Sequence, residues 1–363
     1  MSLFEPEWAS PPGDTIRKIL NEREIRASDI FQNSEISREQ LSMLLSGEIP
    51  ISSAVAFALA KELGGSPEFW TERDSQYWSD RKRLEKKHRE DYEWLDSLPV
   101  KHMIANRWIV PQDTRRESKI KACLDFFDVD SSRSWYNQYC HYLSEVAFRT
   151  SNSFDSIPES VIAWLRQGAK KSEESKCSDW DKDGLVESID EIKSYSRESN
   201  PNIFLPILRT KLARFGVILV VAKAPPSCRA SGATMVLNDN RRLLMLSFRH
   251  RTDDHFWFTL LHEIGHLVLH SEDRLILEGE SLNMDSKLEE EANRFAEEAL
   301  IPATTVAEFH EFGAKDWRRV IRFAKNIGVS PGIVVGQLQH LGRLKYNQLN
   351  KLKVRYDWKN ISH

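Results

Sequence analysis

The chain of 363 residues has only four cysteines, and Cys123, Cys140, Cys177 and Cys228 stand far apart with no C-x-x-C pair among them. That excludes a paired-cysteine framework and fits reduced thiols in a cytoplasm. No apolar run approaches the length of a transmembrane helix, so a membrane-spanning protein and a membrane partner are excluded as well. The N-terminus is acidic with early prolines, which is unlike a signal peptide, and the expected location is therefore cytoplasmic. There is no internal repeat and no low-complexity tract, so a solenoid or a disordered array is not expected. What is present is 40% hydrophobic content over a length that exceeds one ordinary core, which predicts two or three globular domains.

The most informative stretch is His262-Glu263-Ile264-Gly265-His266. Two imidazoles one helical turn apart, with a carboxylate between them, have the spacing that holds a zinc ion and activates water, so the motif points to a metallopeptidase. At about 100° per residue, His255, Thr259, His262, Glu263, His266 and His270 share one sector of about 100°. Apolar residues fill the rest of the wheel, which predicts a buried helix with one polar face. Thr252, Asp253 and Asp254 offer an N-cap and first-turn acids, which sets the helix start just before His255.

Catalytic zinc is normally held by three protein ligands, so a third is needed from elsewhere. A metzincin would carry Gly at 269 and His at 272, but the chain has Leu269 and Glu272. His270 lies two turns from His262, about 12 Å along a straight helix, too far for both to meet one ion. Residues 287–296 read as a second helix, on which Glu289 falls inside the stripe of Leu288, Ala292, Phe295, Ala296 and Leu300, while Glu290 and Glu291 fall outside it. An acid aimed into a core needs a partner, and zinc supplies one. Ser286-x-x-Glu289 also reads as a capping box, and both readings of Glu289 stay open on sequence alone. Asn293, one turn on, is placed to brace a ligating histidine. His255 and Thr259, on the same face as the motif, are candidates for contact with substrate.

His262-Glu263-x-x-His266, followed by Glu289-x-x-Ala292-Asn293-x-Phe295-Ala296 and Ile301-Pro302, resembles the ImmA/IrrE family of metallopeptidases. Residues 231–234 and 253–259 resemble the branch of that family in which the peptidase is fused behind a HigA-like, XRE-type helix-turn-helix. The likeness is strong over residues 200–302 and moderate over 11–78. It implies a gluzincin-like fold whose edge strand holds an extended substrate. It also implies a Zn2+ cofactor on His262, His266 and Glu289, with Glu263 as general base. The implied substrate is a helix-turn-helix repressor, an antitoxin or the chain itself, in a stress, phage or toxin–antitoxin response.

Patterns on either side fit that scheme. Asn200-Pro201 opens a helix that Gly216 closes, and Val217 to Val221 reads as a buried strand. Ala233 to Leu237 and Leu243 to Phe248 flank the turn residues Asn238-Asp239-Asn240. Near the N-terminus, an amphipathic helix bears Ile16, Ile19 and Leu20, and short helices are expected over Ser28 to Ser34 and Ser37 to Ser46. A fourth carries Val55, Leu59 and Leu63, and Ser66-Pro67 opens a fifth. The order is what a helix-turn-helix requires, with Ser37, Arg38, Glu39, Ser42 and Met43 on the exposed side of the recognition helix. Residues 1–78 hold 13 acids against 7 bases, however, and phosphate contact rests on bases.

The run from Arg81 to Arg89 reads as a solvated face. Aromatic residues between Trp94 and Trp164 imply a packed helical connector. Ser172 to Asp183 reads as a loop and Phe309 to Leu344 as helical, with Val329-Ser330-Pro331-Gly332 as a helix start inside it. The expected class is thus α+β: a helix-turn-helix domain at 1–78, a helical connector at 79–195 and a peptidase domain with a small sheet at 196–363. Operator DNA, a toxin and a second copy of the chain are further partners this reading admits. The rival reading is a DNA-binding repressor or antitoxin whose peptidase-like domain senses a signal or binds a toxin without turnover.

Overall fold

The computed structural model describes residues 6–26, 37–140, 157–237, 240–270, 275–277 and 286–357. The chain divides into two compact units, residues 1–94 and 95–363. The division falls inside one continuous helix.

The first unit is all helical. It contains α1 (Pro12–Glu22), α2 (Arg38–Leu45), α3 (Ser53–Leu63) and the start of α4 (Pro67–Ser97). Ser37 caps α2 with a reciprocal capping box, its hydroxyl accepting from the Gln40 N–H and the Gln40 side chain accepting from the Ser37 N–H. Gly47, at φ +73°, ends that helix. Leu41 and Leu44 are buried with Ile16, Leu20, Val55, Leu59, Leu63 and Trp70 in one core, while Arg38, Glu39, Ser42 and Met43 are exposed. The helix expected over Ser28 to Ser34 lies outside the described residues. The run Arg81 to Arg89 sits on α4, where Arg81–Glu85, Lys86–Glu90 and Arg83–Asp80 pair along the helix.

The second unit contains α5 (Val100–Ala105), α6 (Arg116–Phe127), α7 (Pro158–Glu173), α8 (Lys182–Glu187), α9 (Ile189–Ser194) and α10 (Pro201–Ala213). Then come β1 (Val217–Val221), β2 (Gly232–Val236), β3 (Arg242–Leu246), α11 (Asp253–Leu269), β4 (Leu275–Leu277), α12 (Ser286–Leu300), α13 (Val306–Phe309), α14 (Trp317–Ile327) and α15 (Pro331–His340). The strands lie in the order β1-β3-β2-β4, with β1 parallel to β3 and the other pairs antiparallel. Asn200 caps α10 by accepting from the Asn202 N–H, with Pro201 in the first turn. Gly216 follows at φ +81°, where a side chain would strike the Trp180 backbone.

Both faces of the sheet are covered, which is why β1 and β3 are apolar at nearly every position. Val217, Leu219, Val221, Leu244 and Leu246 face a core shared with α10, α11, α14 and α15. Ile218, Val220, Leu243 and Met245 face α7 through Val161, Trp164 and Leu165. The indole of the fully buried Trp164 donates to the Ala222 carbonyl at 2.8 Å. Leu185, Ile189 and Ile192 join the first of these cores. The boundaries expected at 78 and 195 therefore do not coincide with breaks in packing: α4 runs through the first, and α7 to α9 pack with the sheet.

Two local expectations are corrected. Ser172 and Glu173 still belong to α7, and α8 begins at Lys182, so the irregular stretch is shorter than Ser172 to Asp183. Helix α15 starts at Pro331 behind its Ser330 cap, as the Val329-Ser330-Pro331-Gly332 pattern predicts, and Gly328 at φ +80° ends α14. Thr252 makes no side-chain cap on α11, and Asp253 and Asp254 do more than complement its dipole. Asp253 is fully buried and accepts from the Ser330 hydroxyl at 2.7 Å and the Val354 N–H at 3.0 Å. Asp254 pairs with Lys353 at 2.6 Å.

Candidate metal centre

Helix α11 crosses the sheet side of this unit with every residue from Phe256 to Val268 buried except Phe258, which is partly so. Its closest helical neighbour is α12, and Gly265 is what permits the approach. A Cβ there would meet Phe295 at 3.1 Å and the Ala292 Cα at 3.3 Å. The close packing brings Glu289, in the first turn of α12, over the histidines of α11.

The Nε2 atoms of His262 and His266 lie 3.0 Å apart, and the two Glu289 carboxylate oxygens lie 3.2 Å from His262 Nε2 and 3.5 Å from His266 Nε2. These three residues are the one group among the described residues whose ligand atoms converge as a metal site requires. Tetrahedral zinc with bonds of about 2.0–2.1 Å sets its ligand atoms about 3.3 Å apart, so two imidazoles and a carboxylate at these spacings fit the ion. The Ser286 half of a capping box lies outside the described side chains, while the Glu289 carboxylate is turned to the imidazoles.

The outer nitrogens are held as well. His262 Nδ1 lies 3.0 Å from Asn293 Oδ1, and because an amide oxygen only accepts, the ring donates from Nδ1 and presents Nε2 with its lone pair. His266 Nδ1 lies 3.1 Å from His270 Nδ1, and His270 Nε2 lies 3.1 Å from Glu291 Oε2. The carboxylate takes the His270 Nε2 proton, which leaves His270 Nδ1 to accept from His266. Both ligating rings are thus fixed in the tautomer that metal binding requires. Burial lowers the pKa of His266. Burial works to raise the pKa of Glu289, but the neighbouring His262 and His266 outweigh it and lower it to about 2. Glu289 is the anionic member of the trio.

Glu263 is fully buried and stands against β2. A Cβ on Gly232 would come within 2.3 Å of its Oε1, so the carboxylate occupies the space that glycine leaves. Beside the metal trio opens a cleft of 340 Å³ whose lining includes His255, Thr259, His262, Glu289, Asn293 and His340. Thr259 is buried in its wall, whereas His255 is exposed and stacks on His250 at 4.3 Å. His340 is exposed on the rim, 3.9 Å from Glu297.

Sequence reasoning placed Asn293, His255 and Thr259 near the site and gave His270 and Glu291 no part in it. The i+4 spacing of His270 from His266 was a usable signal. Nothing in sequence marked Glu291, which lies outside the apolar stripe, or Arg229 and Arg249, which reach the cleft from the segments flanking the β2–β3 pair. Ser37, Arg38, Glu39, Ser42 and Met43 belong to the other unit.

Among the described residues, no helix is long and apolar enough to cross a membrane, and all four cysteines are free. No curated protein matches the chain. Residues 229–338, which carry both histidines, Glu263, Glu289 and all of the cleft wall but His340, match the family model of the IrrE N-terminal-like domain, Peptidase_M78, and that match is to a metallopeptidase family.

Proposed function

We propose that the chain is a zinc-dependent endopeptidase, with His262, His266 and Glu289 as the metal ligands and Glu263 as the general base. The convergence at 3.0–3.5 Å of two histidines of α11, the helix that also buries Glu263, with Glu289 of α12 carries the reading. Zinc on these donors would supply Lewis acidity, lowering the pKa of water and polarising the scissile carbonyl.

The chain's own residues account for the rest. Glu263 takes a proton from the attacking water on its carboxylate as the water oxygen bonds to the carbonyl carbon. It then delivers that proton to the amide nitrogen as the C–N bond breaks. Gly232 leaves room for this carboxylate without forcing it from its rotamer. Asn293 and the His270–Glu291 pair hold the ligand rings in one orientation, so little reorganisation accompanies the reaction. The substrate backbone enters the cleft past Thr259 and His255. Following the resemblance, the substrate is a repressor, an antitoxin or the chain itself, and residues 1–78 are the module that couples the peptidase to regulation.

An intact Glu263 favours turnover over the rival role of pure sensor, since a scaffold has no use for the base. The test combines metal analysis of purified protein with proteomics of cells expressing wild type or Glu263→Gln. The expected result is one equivalent of zinc in both proteins and peptides cut only by wild type. Equal cleavage by the two would sink the enzyme reading.

A further inference from the structure

Residues 315–355 contain ten Lys or Arg and a single acid, Asp316, in a chain whose net charge is −3. The structure shows how this charge is displayed. Helix α14 turns Val320, Phe323 and Ala324 into the core. On its opposite side Arg318, Arg322 and Lys325 fall within a sector of about 60° at 100° per residue. Lys315 precedes them in the turn before the helix, and Arg343, Lys345, Lys351 and Arg355 follow α15; all eight are exposed. Among the described residues, only Arg319 and Lys353 of the ten have a carboxylate within 4 Å.

An ordinary solvated helix alternates its charges, as α4 does with its Arg–Glu and Lys–Glu pairs. The α14 stripe leaves like charges together at i, i+3 and i, i+4, at a cost in self-repulsion that an anionic partner would relieve. An anionic membrane is the poorer fit, because a helix that lies in a bilayer surface presents its apolar side outward. Here that side is in the core. The exposed aromatics are Trp317, 45% exposed with the Arg318 guanidinium over its ring, and Tyr346, 76% exposed. Cations interleaved with aromatic faces suit phosphodiesters and bases together.

We propose that the basic stripe of α14, together with the exposed cations of residues 343–355, binds the phosphodiester backbone of nucleic acid without reading sequence. The acidic first unit, with Glu39 exposed on α2, is the less suited of the two to phosphate. The site is independent of the metal centre, and binding there would hold the cleft near nucleic acid whether or not the peptidase reading is right.

The test uses zinc-loaded, full-length protein and fluorescence anisotropy of labelled random duplex and random single strand, each about 20 nucleotides long. The three stripe cations alone predict a slope of log K on log salt of about −2.7 for duplex, or about 40-fold weaker binding between about 50 and 200 mM salt. Arg318→Glu/Arg322→Glu and Arg343→Glu/Lys345→Glu should each lose at least about 10-fold in affinity, with zinc content and thermal melting unchanged. Arg38→Glu should bind like wild type. The single-strand probe shows whether the aromatic faces contribute, since Trp317→Ala would then weaken that probe more than duplex. Failure of wild type to bind either probe at about 50 mM salt would overturn the proposal. So would loss of binding in Arg38→Glu with both double variants intact, or tighter binding of polyglutamate or anionic vesicles than of nucleic acid.

Discussion

Glu289 and Glu291 stand two positions apart on α12 and serve different imidazoles, one facing His262 and His266 directly and the other reaching His266 through His270. Their substitution should separate accordingly. Glu289→Ala removes a ligand and should abolish stoichiometric zinc, whereas Glu290→Ala should leave it at the wild-type level in a chelator competition. His270→Ala leaves all three ligands in place but frees the outer nitrogen of His266. Loss of such a support should weaken zinc affinity by about 10- to 100-fold. If His270→Ala retained wild-type affinity, His266 would be held by packing alone. Gly232→Ala affects the base rather than the metal, since its Cβ would collide with the Glu263 carboxylate. That variant should keep zinc and lose most of its turnover, a split that metal analysis beside a peptide assay reads directly.

At the scale of elements, α11 is held at its first turn by groups remote in sequence. Asp253 accepts from Ser330 and Val354, and Gly332 is the residue that lets the carboxylate lie against α15, because a Cβ there would stand 2.3 Å from it. Burial pushes the Asp253 pKa up to about 6, against the opposing pull of its hydrogen bonds. An unfolded aspartate titrates near 3.9, so between about 4 and 6 the folded state holds more protons than the unfolded one, and stability from this group falls as pH rises. The cost is complete above about 6 and amounts to as much as about 3 kcal/mol. Asp253→Asn carries no such titration. In metal-free protein, its stability relative to wild type should therefore rise between pH 4 and 7 in urea melts; a pH-independent difference would mean that Asp253 is not titrating in this window.

For the molecule as a whole, the two units differ in what zinc can do for them. All three candidate ligands belong to residues 95–363, and zinc bound there would stabilise only the folded form of the unit that carries them. At about a thousand times the dissociation constant the gain is about 4 kcal/mol. Chelation should therefore lower amide-exchange protection across α11 and α12 while leaving α1, α2 and α3 unchanged. Loss of protection in α1 to α3 as well would mean that the first unit depends on the metal-bearing one for its stability.

The sequence by itself determined most of the elements and pointed to the candidate ligands. Hydrophobic periodicity is local, so β1, α11, α12 and the helices α1, α2 and α3 were legible from spacing and caps. The two histidines and Glu263 were legible because they share one turn of one helix. Glu289 was only half legible, since a capping acid and a metal ligand look alike until a second helix is placed beside the first. That placement depends on Gly265, whose missing side chain brings α12 within reach of α11. The tertiary structure alone decided that His270 and Glu291 orient His266 and that Asp253 anchors α11 rather than merely capping it. It also showed that residues 158–194 belong to the core around the sheet. In each case the partner lies on another element, and no periodicity along one strand or helix can register a contact made across two.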